Sequence, residues 1–327
     1  MRRVFAPRWP WGNPHFQSIL PSLLPRHRLR RRAAPLLAAS RELILDCGDG
    51  VRLQCWRARP PGQLAGSAIL LHGWEGSADS YYVVSLAARL FDAGVEVVRL
   101  NLRDHGDTHH LNEDIFHSCR LPEAVGAVVA LGPQLAAPPW LVGFSLGGNF
   151  MLRVAASTNP QLPKIVKVVA ISPVLHPDRA MLAMEQGWQV YQKYFVKKWS
   201  RSLRRKRTHW PKLAVDEGFF GLGDLRRMTA AMVARHTDFA GIDAYLDGYA
   251  ITGSLLDTLA APATVLASLD DPIIPAQDLQ QLAASPLLKV VTTPRGGHMG
   301  FMESPWRESW VNGFVMAELG LSGPGGR

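Results

Sequence analysis

Three cysteines in 327 residues are too few to staple a fold with disulfides. Cys47, Cys55 and Cys119 follow no metal-ligand or redox spacing, and their odd number leaves a thiol over in any pairing. Reduced thiols in a reducing compartment, hence a cytoplasmic protein or one peripheral to a membrane, are the expectation. Long apolar runs are missing as well: no window approaches the ~18 uninterrupted residues of a membrane-spanning helix. The Arg-rich opening MRRVFAPRWPWGNPHF has no apolar h-region behind it, so no secretory leader is expected. The 47% of hydrophobic residues is therefore available for a core, which at this length fills one large α/β domain or two smaller ones.

Acid is absent from two segments. Residues 1–32 carry eight arginines and no Asp or Glu, and Lys193–Arg207 (KYFVKKWSRSLRRKR) carries eight Lys or Arg and no acid. The net charge is +9, so the rest of the chain is net negative and the basic character belongs to those two segments. Such a run is either a solvated face or a contact for anionic lipid, and peripheral membrane contact through Lys193–Arg207 is the functional version of that expectation. No motif that reads DNA or RNA accompanies it, which argues against a nucleic-acid partner.

What is present alternates. RELILDCGDGVRLQCWRAR holds two alternating runs around Gly48-Asp49-Gly50, the pattern of an antiparallel hairpin. SAILLHG and VEVVRLNL are short and dominated by aliphatic, often β-branched residues, as strands buried on both faces of a parallel sheet are. Between them YYVVSLAARLFDAG has helical spacing and ends on Gly94, suited to a left-handed cap. The alternation repeats through LPEAVGAVVALGPQL, PWLVGFS, LGGNFMLRVAAS and IVKVVAISPV. This βαβα series predicts an α/β fold with a mostly parallel central sheet, an N-terminal antiparallel hairpin and a helical insertion. The insertion is expected over residues 176–255, where helical stretches (Met181–Arg207, Arg226–Thr237) flank a loop and no buried strand stands out. Residues 1–175 and 256–327 then complete one core, with a basic arm over 1–35, a terminal helix over Trp306–Leu319 and a frayed GLSGPGGR tail.

Ligands of an open parallel sheet bind outside the carboxyl ends of its strands. LHGWEG, GFSLGG, LDDPIIP and GGHMGF all fall at such ends. Gly143-Phe144-Ser145-Leu146-Gly147 is G-x-S-x-G between strand and helix, a turn that exposes a serine hydroxyl; the bland alternative is an ordinary loop serine. A serine needs a base oriented by a carboxylate to become a nucleophile. His298, between small neighbours after the last strand, is the candidate base. Asp271 and Asp270 compete as the acid, and the D-x-apolar-apolar-P spacing favours Asp271. An oxyanion would be held by the amides of Leu146, at a helix start, and Trp74, after the first buried strand. His72 is expected to brace that loop, and Trp74 and Glu75 to line the pocket. RDHGDTHH (Arg103–His110) matches no metal-ligand spacing and reads as a hydrogen-bonded rim, so neither a metal nor a cofactor is expected.

Together GNPHFQSILPSL, LHGWEGS, NLRDHGD, GFSLGGN, LDDPIIP and GGHMGF resemble the α/β-hydrolase superfamily, and within it the YheT-like branch. The resemblance implies a Ser145–His298–Asp271 triad forming an acyl-enzyme on a small or lipid-like carboxylic ester. Asp104 and His105 depart from it, since that branch usually carries a small residue after the arginine. The alternative is a hydrolase-fold protein that binds a hydrophobic ligand or partner without turnover.

Overall fold

A computed structural model describes residues 5–23, 26–304 and 308–321. Eight strands form a single sheet: β1 (Ser40–Asp46), β2 (Arg52–Ala58), β3 (Gly66–Leu71), β4 (Val95–Leu100), β5 (Pro139–Phe144), β6 (Lys167–Ile171), β7 (Ala263–Ser268) and β8 (Leu288–Thr293). Their spatial order is β1-β2-β4-β3-β5-β6-β7-β8. β1 and β2 pair antiparallel, β2 pairs antiparallel with β4, and every later pairing is parallel. The hairpin turn puts Gly48, Asp49 and Gly50 all at positive φ.

The helices are α1 (Pro14–Leu23), α2 (Arg26–Arg32), α3 (Ala34–Ala39), α4 (Tyr81–Asp92), α5 (Leu121–Leu131), α6 (Leu146–Ala155), α7 (Pro177–Gln186), α8 (Val190–His209), α9 (Glu217–Gly221), α10 (Leu225–His236), α11 (Ile242–Asp247) and α12 (Trp310–Glu318). Gly94 ends α4 at φ 81°, in the left-handed region. The continuous apolar runs divide between the two faces because side chains alternate along a strand. Ile69, Leu71, Leu141, Val168 and Ala170 join one apolar cluster, while Ala68, Leu70, Val142, Val169 and Ile171 join the other. α4 and α12 cover the second face through residues such as Leu86, Phe314 and Val315. α6 covers the first through Phe150 and Leu152.

Between β6 and β7 the chain runs through α7 to α11. Met181, Tyr191, Trp199, Met228 and Tyr245 of these helices belong to the same cluster as Ile69 and Leu141, so this layer and the sheet share one apolar core. The helical stretch expected over Met181–Arg207 is broken in two at Gly187, which closes α7 in extended backbone. A Cβ there would lie 2.6 Å from Ala183 O. The expected loop before Asp224 contains α9, whose start is capped by Asp216 Oδ1 accepting the Phe219 N–H at 2.8 Å. Where a plain basic arm was expected, α1 to α3 form. The anticipated start of the last helix at Trp306 and most of the terminal tail lie outside the described residues. Among the described residues no helix is long and apolar enough to cross a membrane.

Candidate active site

Ser145 sits where β5 turns into α6, with φ 51° and ψ −119°. A non-glycine residue held there costs about 1–3 kcal/mol, so the surroundings must fix it. Its N–H donates to Ile171 O of β6 at 2.8 Å, and its carbonyl accepts the Asn149 N–H at 3.1 Å, opening α6. The flanking glycines are required by contact. A Cβ at Gly143 would lie 2.2 Å from Gly147 O, and one at Gly147 would lie 2.3 Å from His72 O at the end of β3. The elbow is thus packed backbone to backbone.

His298 follows β8 and reaches back over the elbow. Its Nε2 is 2.9 Å from Ser145 Oγ, and its Nδ1 is 2.9 Å from Asp271 Oδ2. The other Asp271 oxygen accepts the N–H groups of Ile273 and Ile274 at 2.8 and 3.0 Å, which fixes the direction of the carboxylate. An ionised Asp271 places the ring proton on Nδ1 and leaves Nε2 free to accept from the hydroxyl. Asp270, the competing acid, points elsewhere: its Oδ1 accepts the Gly297 N–H at 2.9 Å and so tethers the His298 loop.

That loop has a second support, for which sequence reasoning assigned no residue. α1 lies against it. Ser18 Oγ accepts the His298 N–H at 2.8 Å while donating to Pro14 O at 2.7 Å. Gln17, 1% exposed, accepts the Met302 N–H at 2.7 Å and donates to Met302 O at 2.8 Å. A Cβ at Gly297 would lie 2.4 Å from Pro14 O, and one at Gly300 would lie 2.1 Å from Gln17 O. The GNPHFQSI segment therefore holds the histidine's backbone.

Opposite His298, the loop after β3 passes close by: a Cβ at Gly73 would be 3.2 Å from Ser145 Cβ. His72 Nδ1 donates to Gly73 O at 2.7 Å, and its Nε2 accepts the Leu102 N–H at 3.2 Å. Complete burial pushes its pKa well below the ordinary value, so it braces the loop as a neutral ring. His105 acts one step further on: Nε2 accepts the Glu75 N–H at 3.1 Å and Nδ1 donates to Arg103 O at 2.7 Å. Burial lowers its pKa to about 4. Lys198 of α8 donates to Glu75 O at 2.8 Å. Between these clamps, the amides of Trp74 and of Leu146, the first residue of α6, have no protein acceptor among the described residues. Two unpaired N–H groups flanking a serine are what a developing oxyanion needs.

The profile of the Alpha/beta hydrolase family matches residues 68–309. The chain belongs to that family. It is 27% identical over 333 residues to the Escherichia coli (strain K12) protein named "Putative esterase YheT", covering 96% of this chain and 94% of that one. A pimeloyl-[acyl-carrier protein] methyl ester esterase of Xanthomonas campestris is 28% identical over 242 residues, 72% of this chain and 88% of that one. Among solved structures, a Pyrococcus furiosus esterase superposes with a TM-score of 0.58 at 16% identity, over 86% of this chain and 89% of that chain. A bacterial membrane phospholipase A superposes at 0.56 and 17% identity, over 94% and 92%. The last two likenesses bear on the fold alone.

In this α/β-hydrolase the helices between β6 and β7 roof the site. Ser145, Leu146 and His298 open into a cavity walled by Met181 and Met184 of α7, Phe195 and Trp199 of α8 and Met232 of α10. The Trp74 ring stacks on Phe195 at 5.1 Å and meets Trp199 edge-on at 5.5 Å. Much of the basic run of α8 is engaged within the protein. Lys206, fully buried, pairs with Asp104 Oδ1 at 2.8 Å, and Asp104 Oδ2 accepts the Phe116 N–H at 2.8 Å. Arg205 pairs with Asp107 at 2.5 Å and Arg207 with Glu217 at 2.9 Å. Lys193, Lys197, Arg201, Arg204 and Arg205 are exposed. The Arg103–His110 segment is thus a docking rim for α8, with Arg103 bound to buried Glu123 at 2.6 Å.

Proposed function

We propose that the protein hydrolyses carboxylic esters through an acyl-enzyme on Ser145, with residues 176–255 closing over the acyl group as a cap. The single observation that carries the reading is the unbroken chain from Ser145 Oγ to His298 to Asp271, 2.9 Å at each step, on the floor of an apolar cavity. His298 Nε2 takes the hydroxyl proton as Ser145 attacks the ester carbonyl, and Asp271 stabilises the imidazolium through Nδ1–H. The Leu146 and Trp74 amides receive the oxyanion, each donor worth about 3–4 kcal/mol of barrier where such groups have been removed. The imidazolium then protonates the departing alcohol. Water, activated by the same ring, releases the acid. The methionine-rich walls suit a flexible aliphatic acyl chain, because unbranched thioethers repack around varied shapes. Relatives named as esterases support the same class of bond.

The test is steady-state hydrolysis of 4-nitrophenyl esters of rising chain length by wild type, Ser145→Ala, His298→Ala and Asp271→Asn. The reading expects turnover of aliphatic esters by wild type and losses of at least about 10⁴-fold in the first two variants. Equal rates for wild type and Ser145→Ala would instead favour a binding protein built on the same fold.

A further inference from the structure

The exposed cations of α8 share one side of the helix. Lys193, Lys197, Arg201, Arg204 and Arg205 fall within a stripe about 120° wide when the helix is unrolled at 3.6 residues per turn. No Asp or Glu lies anywhere on α8. Arg204 reaches Glu217 at 3.8 Å and Arg205 reaches Asp107 at 2.5 Å, so the charge is offset only towards the C-terminal half. Lys193, Lys197 and Arg201 enter no ion pair among the described residues. They follow one another at i, i+4, a spacing at which like charges repel, and Lys193 stands in the first turn, where the helix dipole is itself positive. The helix bears this repulsion alone, and an anionic surface laid against the stripe would relieve it.

Large apolar side chains stand exposed at the same end. Trp188 is 49% and Tyr194 43% exposed, and Val190 between them and Leu182 of α7 are exposed as well. The start of α1 adjoins them: His15 meets the Trp188 ring edge-on at 5.0 Å, its Nδ1 is 2.9 Å from Tyr191 Oη, and its neighbour Phe16 is exposed. Tyr194 packs edge-on against Phe195 at 5.4 Å, and Phe195 walls the cavity over Ser145. A face kept only for solvent has no use for exposed Trp and Tyr, whereas rings with an apolar body and a polar atom suit the boundary between lipid headgroups and acyl chains.

We propose that the first half of α8, with the α7–α8 turn and the start of α1, is a docking surface for an anionic lipid bilayer. Trp188, Val190 and Tyr194 enter the headgroup layer, and Lys193, Lys197 and Arg201 lie along its phosphates. A flat array of anions accepts a straight row of cations, and the acyl chains beneath receive the aromatic end of the row; an acidic protein would satisfy the charges and leave the rings in water. The surface stands apart from the triad and does not rest on the esterase reading.

The experiment is co-sedimentation of the full chain with vesicles of phosphatidylcholine, alone or mixed with phosphatidylglycerol, at low and high salt. Wild type is expected to bind the mixed vesicles at least about tenfold more tightly than the neutral ones, with the difference shrinking as salt rises. Lys193→Gln, Lys197→Gln and Arg201→Gln together are expected to lower partition about 100-fold, at about fivefold per charge. Trp188→Ser with Tyr194→Ser is expected to lower it about tenfold by removing apolar area from the lipid. Equal binding to both vesicle types, or partition unchanged in the triple variant, overturns the proposal. Partition unchanged in the Trp188 and Tyr194 variant overturns it too, and competition by soluble polyglutamate in that case assigns the stripe to an acidic protein. Ser145→Ala protein should bind vesicles as wild type does, so loss of esterase activity and loss of docking are read separately.

Discussion

Ser18 Oγ and the main-chain N–H of His298 are hydrogen-bonded at 2.8 Å across 280 residues of sequence. α1 therefore sets where the imidazole stands relative to Ser145. Ser18→Ala is expected to lower kcat about fivefold with little change in KM, since it removes one part-buried hydrogen bond of ~1 kcal/mol and touches no cavity wall. Ser18→Thr, which keeps the hydroxyl, should recover most of the loss. Steady-state kinetics with one aliphatic ester checks both, and an unchanged kcat in Ser18→Ala would remove α1 from the account.

The elbow's dependence on glycine is directly testable. In Gly147→Ala the new methyl would stand 2.3 Å from His72 O and 2.5 Å from Leu71 O, both backbone atoms that cannot yield cheaply. Denaturant unfolding is expected to show a loss of about 2 kcal/mol or more. Gly313 of α12 is the control: nothing lies within 4 Å of a Cβ there, and Gly313→Ala should stabilise by about 0.5–1 kcal/mol.

Lys206 and Asp104 form an ion pair with side chains 0% and 6% exposed, joining α8 to the rim loop. Asp104→Ala strands a buried ammonium and is expected to cost about 3–5 kcal/mol, whereas Asp104→Leu with Lys206→Met together should cost much less. Midpoints of urea unfolding for the single and double variants measure the difference.

Stability should fall on acidification below neutral pH. His105, with a folded pKa lowered to about 4, and His72, held well below its ordinary value by burial, are neutral in the folded state. Unfolding exposes both to their ordinary value near 6.5, so the unfolded state binds more protons below it. Their contribution is complete above about pH 6.5 and is lost as pH falls towards 4, each at up to about 1.4 kcal/mol per pH unit. Glu75, whose carboxyl burial raises to about 7, opposes this with the reverse sign between about 4.5 and 7. Unfolding free energies at pH 7.5, 6 and 5 test the sum. His105→Gln, which keeps donor and acceptor capacity, should flatten the slope.

The parts of the site legible in the sequence are those whose chemistry is local. The aliphatic run of β5 must be buried on both faces, which placed Ser145 at a strand end, and the apolar stretches that became β7 and β8 did the same for Asp271 and His298. Asp271 and Asp270 are adjacent, and a spacing rule could rank them, but only the direction of each side chain shows one on the imidazole and the other on Gly297. The α1 support was not legible, because Gln17 and Ser18 act on partners some 280 residues away and nothing local announces which element a short arm packs against. The basic run of α8 reads as a solvated face or a lipid contact; most of it is exposed, and what the sequence could not show is that Lys206 turns inward to Asp104 on another segment. The break at Gly187 was missed because a lone glycine is tolerated within a helical pattern, whereas here its backbone turns extended.

The most direct test of the central claim is mass spectrometry of the folded protein after reaction with an alkyl fluorophosphonate. The account predicts stoichiometric modification on the peptide carrying Ser145, with none in Ser145→Ala and much slower labelling in His298→Ala. Modification at another residue, or an unmodified Ser145 in protein that still hydrolyses esters, would contradict it.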